Sequence, residues 1–276
     1  MLDARPSHEA LLLMLAVNLY QVRGQQQQFL RFLDNIPGGR TALWDLLEAF
    51  VWTSGAVTPD TVRMRLVLDR LRRADPAEIR RDNWVPAYED LTVQFHGFER
   101  DYNVALLLIH LGRVAEARAV ITSLKAMGRM EFLGNLQEDA IKSLEAEMLF
   151  RDGDLNQALT VLRAITYDVS HGATYHAIAD ASRSRFLRAE LELARGDTSV
   201  AKGLHRGFDE SWSPWDMYHR PVVYQRLGEI AEAEGRVTDA ITQYSRLLDL
   251  WRDGDAATVA TRDKVKQRRD ALQSRR

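Results

Sequence analysis

The sequence of 276 residues predicts an all-α fold in which antiparallel helix pairs stack into an α-solenoid that a final helix caps. Three observations predict this class. Apolar residues recur at helical spacing, alternating β-branched runs are sparse, and a pattern of helix, glycine-centred turn and helix recurs along the chain. Because a solenoid grows in one dimension, a chain of this length need not form one large core.

The N-terminal part, residues 1–97, fits the helix-pair pattern loosely. Two pairs are predicted there, 10–22 with 25–35 around Gly24 and 41–53 with 58–73 around Gly55. Asp75-Pro76 then interrupts the chain before a further helix over 84–95. We interpret this part as degenerate repeats that begin the solenoid; the alternative is a separate helical domain.

Residues 98–252 contain four clearer repeats that share one register. Their turn glycines are Gly112, Gly153, Gly196 and Gly235. Seven positions before them stand Ala105, Ala146, Ala189 and Gly228; five positions after them stand Ala117, Ala158, Ala201 and Ala240; twelve after them stand Leu124, Ile165, Phe208 and Leu247. Glycine permits the left-handed backbone that reverses the chain, and small residues let two helices approach closely.

This register resembles the tetratricopeptide repeat (TPR), most closely in the last copy. The matching residues there are Tyr224, Leu227, Gly228, Gly235, Ala240 and Tyr244. Ala231 stands where an aromatic residue is usual, His205 takes a core position of the third copy, and the turn glycines are 41, 43 and 39 residues apart, wider than the standard spacing. The resemblance implies a right-handed superhelix whose first helices line a concave groove that binds a partner.

Residues 253–276 are predicted to form the C-terminal capping helix. Lysine and arginine toward its end suit the helix dipole, and a polar helix can cover the last apolar face of a solenoid. Phosphate contact by these cations is the alternative, but interleaved aromatic residues are missing. The segment 224–272 also resembles helical-repeat regions of bacterial regulators such as serine/threonine kinases and transcriptional activators, which implies a regulatory context.

The composition excludes several classes of function. A net charge of −2 gives no general attraction to nucleic acid or anionic lipid. The absence of cysteine removes disulfides, thiolate nucleophiles and cysteine-bound zinc, and fits a reducing compartment. The apolar run over 10–17 is too short to cross a bilayer. We therefore expect a cytoplasmic protein that does not bind membranes or nucleic acid.

We find no catalytic, metal or cofactor motif. His171 and His176 are five residues apart, which does not place them on one helical face, and Gly38-Gly39-Arg40 lacks the lysine and serine or threonine of a phosphate loop. The chain is therefore predicted not to be an enzyme and to carry no cofactor. The aromatic linker over 211–221 would be a binding hot spot if exposed; we expect it to be buried.

The TPR resemblance implies that positions ten and six residues before each turn glycine face the groove. The first set is Tyr102, Ser143, Phe186 and Gln225, and the second is Leu106, Glu147, Glu190 and Glu229. We expect the glutamates to form an acidic ladder and Tyr102 and Phe186 to anchor a basic or amphipathic segment. In the alternative, the glutamates pair with Arg151 and Arg188 and bind nothing.

These observations predict a protein–protein interaction module, acting as an adaptor, scaffold or regulatory domain, that binds a protein or peptide on its concave face. The alternative is a sensor domain that binds a small molecule or short peptide within the superhelix and thereby regulates a signalling or transcription partner.

Overall fold

The computed structural model describes residues 20–36, 39–82, 93–166 and 181–275. Within these ranges the secondary structure is helical and no strand occurs, which confirms the all-α prediction. In chain order the helices are α1 (Gln26–Asp34), α2 (Ala42–Thr53), α3 (Thr61–Arg73), α4 (Pro76–Asp82), α5 (Val93–His110), α6 (Val114–Ala126), α7 (Leu136–Arg151), α8 (Leu155–Arg163), α9 (Ser182–Ala194), α10 (Thr198–Glu210), α11 (Pro214–Met217), α12 (Arg220–Ala233), α13 (Val237–Leu250) and α14 (Ala256–Gln273).

The described residues form two compact units. The first unit contains 39–188, and the second contains 20–36 together with 189–275, so that the division falls within α9. Residues 20–36 thus belong to the same unit as the C-terminal helices, and α2 to α4 pack with α5 in the other unit.

The predicted turn glycines adopt the left-handed conformation. Gly112 has φ of 73°, and the glycines that end α7, α9 and α12 have φ of 86°, 84° and 73°. At the first of these turns the Arg113 N–H donates to the Leu108 carbonyl at 2.9 Å, a bond that satisfies an otherwise free carbonyl at the helix end. The glycine therefore closes one helix and directs the chain into its antiparallel neighbour.

First and second helices of the pairs differ in how they are buried. The first helices α2, α5 and α7 are buried around most of their circumference. The second helices bury one stripe each; in α6 it consists of Ala117, Ile121 and Leu124. The alanines predicted to lie where two helices approach closely are buried in every copy: Ala117, Ala158, Ala201 and Ala240. The large apolar residues seven positions beyond them are buried as well.

The second unit ends in the predicted C-terminal helix. α14 packs on α13, and its Val265 and Leu272 join an apolar cluster with Tyr244, Leu247 and Trp251. The turn around Gly24 packs on the start of α14, where the Asp255 N–H donates to the Gly24 carbonyl at 2.9 Å. Both ends of the described chain therefore contribute to this unit. Among the described residues, no helix combines the length and apolar character needed to cross a bilayer.

Candidate functional site

The apolar positions predicted to face the groove lie inside the first unit. Tyr102, Leu106 and Phe186 are all buried. The Tyr102 hydroxyl lies 2.9 Å from the Ser143 hydroxyl, and Ser143 in turn donates to the Ala140 carbonyl, so the tyrosine is the donor of this pair. These side chains therefore offer almost no surface for a partner to contact.

Glu147 is the centre of a buried polar cluster in the first unit. Its side chain is 1% exposed and accepts from Arg183 at 2.5 Å and from His110 at 3.0 Å, while Arg151 lies 3.4 Å away. Burial alone would raise the pKa of Glu147, but the positive charge of Arg183 and the bond from His110 outweigh it and lower the pKa to about 2. Arg151, the predicted alternative partner of Glu147, is thus one of the two arginines that contact this carboxylate.

His110 in this cluster is neutral at pH 7. Burial lowers its pKa to about 4 against the opposing effect of the hydrogen bond to Glu147. Its ring lies close to both arginines of the cluster: Nδ1 is 2.9 Å from Arg151, and Nε2 is 3.0 Å from Arg183 and 3.0 Å from the Glu147 carboxylate. His110 is therefore an uncharged member of the cluster and adds no positive charge to it.

The other two glutamates of the predicted ladder lie in the second unit and are also paired. Arg226 binds Glu190 at 2.8 Å and Glu229 at 2.9 Å, and Arg268 of α14 binds Glu229 at 3.1 Å. Gln225 donates to Glu229 at 2.9 Å. The hydrogen bonds to Glu190 raise the pKa of Arg226 above its already high range.

The three glutamates of the predicted ladder therefore form the same kind of ion pair. Each is bound by an arginine from a helix further along the chain: Glu147 by Arg183 of α9, Glu190 by Arg226 of α12, and Glu229 by Arg268 of α14. Their charge is neutralised within the protein, so a basic partner would have to break these pairs. Arg183 and His110 were not among the residues predicted for this site.

A trough on the surface of the first unit is a more accessible candidate site than the buried cluster. It consists of two neighbouring hollows, one of about 410 Å³ between α6, α7 and α8 and one of about 390 Å³ between α6, α7 and the segment that joins them. We call it the α6–α8 trough. Apolar side chains that line it are Ile121, Met148, Leu149 and Val161 in the first hollow and Met127 and Ile141 in the second.

Ion pairs line the α6–α8 trough. Lys125 and Glu145, which belong to both hollows, are joined at 2.5 Å. Arg118 binds Asp152 at 3.7 Å at the first hollow, and Lys142 binds Glu138 at 2.7 Å at the second. The trough thus combines apolar walls with charges of both signs, which is the chemistry that an amphipathic segment requires.

The aromatic linker is only partly buried. Tyr218 is buried as predicted, but Trp212 is 87% exposed, so the prediction of burial is wrong for this residue. The backbone there is held by Arg220, which donates to the Ser211 carbonyl at 2.7 Å, and by the Ser213 hydroxyl, which accepts from the Trp215 N–H. These bonds direct the chain into α11 and α12 and leave the Trp212 side chain outside.

Within the described ranges, no group of three histidine, aspartate or glutamate side chains is arranged to hold a metal ion. His171 and His176 lie outside the described residues. Comparison of the chain with protein-family models, curated proteins and solved structures finds no match.

Proposed function

We propose that the protein is a protein–protein interaction module built as a TPR-like, right-handed solenoid with a C-terminal capping helix. Three features support this proposal: left-handed turn glycines, buried alanines at one register, and contacts between successive helix pairs such as α5 with α7. Repeats of this kind present long surfaces for recognition. The proposed partner is a protein or peptide segment of amphipathic character.

The α6–α8 trough is the observation on which the binding proposal depends. Each hollow falls in the range of about 300–1,000 Å³ that is typical of ligand sites. An amphipathic helix carries apolar anchors on one face, spaced three or four residues apart. Such a segment can place apolar anchors in the two hollows and its polar groups against the Lys125–Glu145 pair. Binding at this surface leaves Tyr102, Leu106 and Phe186 buried.

A site-specific crosslink tests this assignment. Thr122 lines the trough, and Thr242 is a matched control on α13: both are exposed, and both hydroxyls bond to the carbonyl four residues earlier. The photoreactive residue p-benzoylphenylalanine replaces one or the other, and the protein is irradiated in the cells that produce it. We expect an adduct of discrete mass from position 122 and none from position 242.

A second variant checks that the adduct depends on the trough. Val161→Asp places a charge on the apolar wall at a half-buried position and is expected to abolish the adduct, while circular dichroism confirms that the helices remain. Equal adducts from positions 122 and 242, or an adduct that survives Val161→Asp, would show that the partner does not bind in this trough.

A further inference from the structure

The outward face of α3 exposes apolar side chains that the core does not use. Val62 is 62% exposed and Leu66, one turn later, is 48% exposed. The helix buries a different stripe, formed by Met64, Val67, Leu68 and Leu71. In the described part of the chain, the other exposed large apolar residues occur singly on their helices or, in the case of Trp212, in the linker before α11. An exposed pair on consecutive turns is the arrangement found at helix-docking surfaces.

Two arginines on this helix face inward and neutralise buried carboxylates. Arg63 binds Glu48 at 2.8 Å, and Arg70 binds Asp45 at 2.8 Å. Both carboxylates belong to α2, which is buried. These two arginines therefore hold α3 on the core, and their charge is not available to a partner.

The remaining arginines give the outward face an excess of positive charge. Arg65 and Arg73 have no carboxylate within salt-bridge distance among the residues that the structure describes. Arg72 binds Glu116 at 2.8 Å, and the same carboxylate also binds Arg113 at 2.6 Å. On the stripe of the helix itself, three guanidinium groups, those of Arg65, Arg72 and Arg73, stand beside the one carboxylate of Asp69, while the flanking Asp60 and Asp75 carboxylates accept from backbone N–H groups. The stripe therefore carries an excess of positive charge, although the whole chain carries −2.

The apolar and basic residues share one stripe of the helix. Val62, Arg65, Leu66, Asp69, Arg72 and Arg73 follow the three- and four-residue spacing of a single helical face, here called the α3 face. The first turn is fixed because the Asp60 carboxylate accepts from the N–H groups of Val62 and Arg63. The surface is therefore preorganised.

We propose that the α3 face binds an acidic amphipathic segment of a partner protein. Two apolar anchors of that segment pack on Val62 and Leu66, and its carboxylates pair with the guanidinium groups of Arg65 and Arg73. A nucleic acid fits this surface less well, because Val62 and Leu66 offer nothing to a phosphate backbone and Asp69 repels it. The surface is separate from the α6–α8 trough and calls for a partner of different charge.

Peptide binding to the full chain tests the proposal. The probe is a fluorescein-labelled helical peptide of about four turns, with two leucines four residues apart and glutamates on both sides of them. The matched probe has lysine at each glutamate position. Fluorescence anisotropy is measured at low salt. At 0.1 M salt the Debye length is about 10 Å, so the ions largely screen the attraction between exposed charges that lie further apart. We expect the glutamate peptide to bind at least tenfold more tightly.

Four variants separate the apolar from the charged contribution. The double variant Val62→Ser/Leu66→Ser should weaken glutamate-peptide binding about tenfold, and Arg65→Glu/Arg73→Glu should make the lysine peptide the tighter ligand. Val200→Ser, at an exposed single valine of α10, is the control and should change nothing. Val161→Asp in the trough should also leave this binding unchanged, which keeps the test independent of the trough.

Three results would overturn the proposal. Equal affinity for the two peptides would show that the positive charge of the α3 face does not select the partner. Unchanged binding in Val62→Ser/Leu66→Ser would show that these two side chains do not contact the peptide. Complete competition by double-stranded DNA, with DNA binding unaffected by the serine substitutions, would identify the surface as a nucleic-acid site. Circular dichroism and urea unfolding of each variant confirm that the substitutions leave the fold intact.

Discussion

At the scale of single residues, Gly228 shows why small side chains are required where paired helices meet. A Cβ atom added at this position would lie 2.4 Å from the Tyr244 ring, which is fully buried. The ring therefore occupies the space that a methyl group would need. We expect Gly228→Ala to lower the free energy of unfolding by about 1–3 kcal/mol, the usual effect of overpacking a core. Urea unfolding followed by circular dichroism measures the change.

The control for this substitution is Gly203 in the interior of α10. A Cβ atom there would meet no other atom within 4 Å. Alanine has the higher helix propensity, so Gly203→Ala is expected to stabilise the protein by up to about 1 kcal/mol. If both substitutions shift the unfolding midpoint in the same direction, close packing against Tyr244 is not the reason for glycine at position 228.

His205 gives a prediction about pH. It is buried in α10, and burial lowers its pKa from 6.5 to about 4, against the nearby carboxylate of Glu190. The unfolded chain therefore binds more protons between pH 6.5 and pH 4, and the folded state loses stability as the pH falls through this range. The contribution of this one histidine is on the order of 3 kcal/mol.

The substitution His205→Gln isolates that contribution. Glutamine does not titrate, so the free energy of unfolding should fall less steeply between pH 7 and pH 4 in the variant than in the parent. Urea midpoints at half-unit steps of pH measure the two slopes. His110 and the carboxylates titrate in both proteins and cancel in the comparison. Parallel pH curves would mean that His205 is not buried in its neutral form.

At the scale of elements, one carboxylate caps two helices. Asp255 accepts from the Ala257 N–H of α14 at 3.1 Å and from the Gln27 N–H of α1 at 2.5 Å. Each cap contributes about 1 kcal/mol. We therefore expect Asp255→Ala to destabilise the protein by about 2 kcal/mol and to accelerate amide hydrogen exchange at the starts of both helices.

Asp154 provides the matched control because it caps α8 alone, accepting from the Gln157 N–H at 3.0 Å. The variant Asp154→Ala should cost about 1 kcal/mol and accelerate exchange only at the start of α8. If Asp255→Ala leaves exchange in α1 unchanged, the bond from Gln27 does not hold that helix in solution.

Local features of these elements could be predicted from the sequence, whereas the accessibility of the first helices could not. The turn glycines and buried alanines follow from the backbone of one helical hairpin, so their register is visible in the chain. Whether Tyr102 and Glu147 are exposed depends on which residues from distant parts of the sequence pack against them. One signal was present: residues 42–53 are apolar except for Asp45, Glu48 and Thr53, and a helix with so few polar residues is expected to be buried.

The residues of the candidate site could also be predicted only in part, because the site depends on contacts between residues that are distant in the sequence. Arg183 lies outside the aligned columns, so its pairing with Glu147 had no signal in the spacing. The α6–α8 trough depends on the separation of neighbouring helices, which the sequence does not encode locally. Trp212 was expected to be buried with the other aromatic residues of the linker, between adjacent helix pairs, but its side chain is exposed next to backbone that Arg220 and Ser213 hold.

At the scale of the whole molecule, the order of packing departs from the order of the chain. A solenoid with contacts only between neighbours predicts that α1 packs with α2 and α3. Instead, 20–36 belongs to the unit formed by 189–275. Residues that pack as one cooperative unit lose their protection from hydrogen exchange together. The protection of α1 should therefore depend on the stability of α12 to α14.

Native-state hydrogen exchange with mass spectrometry tests this dependence, with Gly228→Ala as the perturbation. The substituted residue lies in α12 and packs on α13, far in sequence from α1. We expect exchange in 26–34 to accelerate by the same factor as exchange in 220–250, because opening of the second unit exposes both. A loss of about 2 kcal/mol corresponds to roughly thirtyfold faster exchange. Amides in 93–126 of the first unit should accelerate much less. If α1 keeps its original rate while α12 and α13 accelerate, the N-terminal helix is not part of their cooperative unit, and the packing of its turn against Asp255 does not stabilise it.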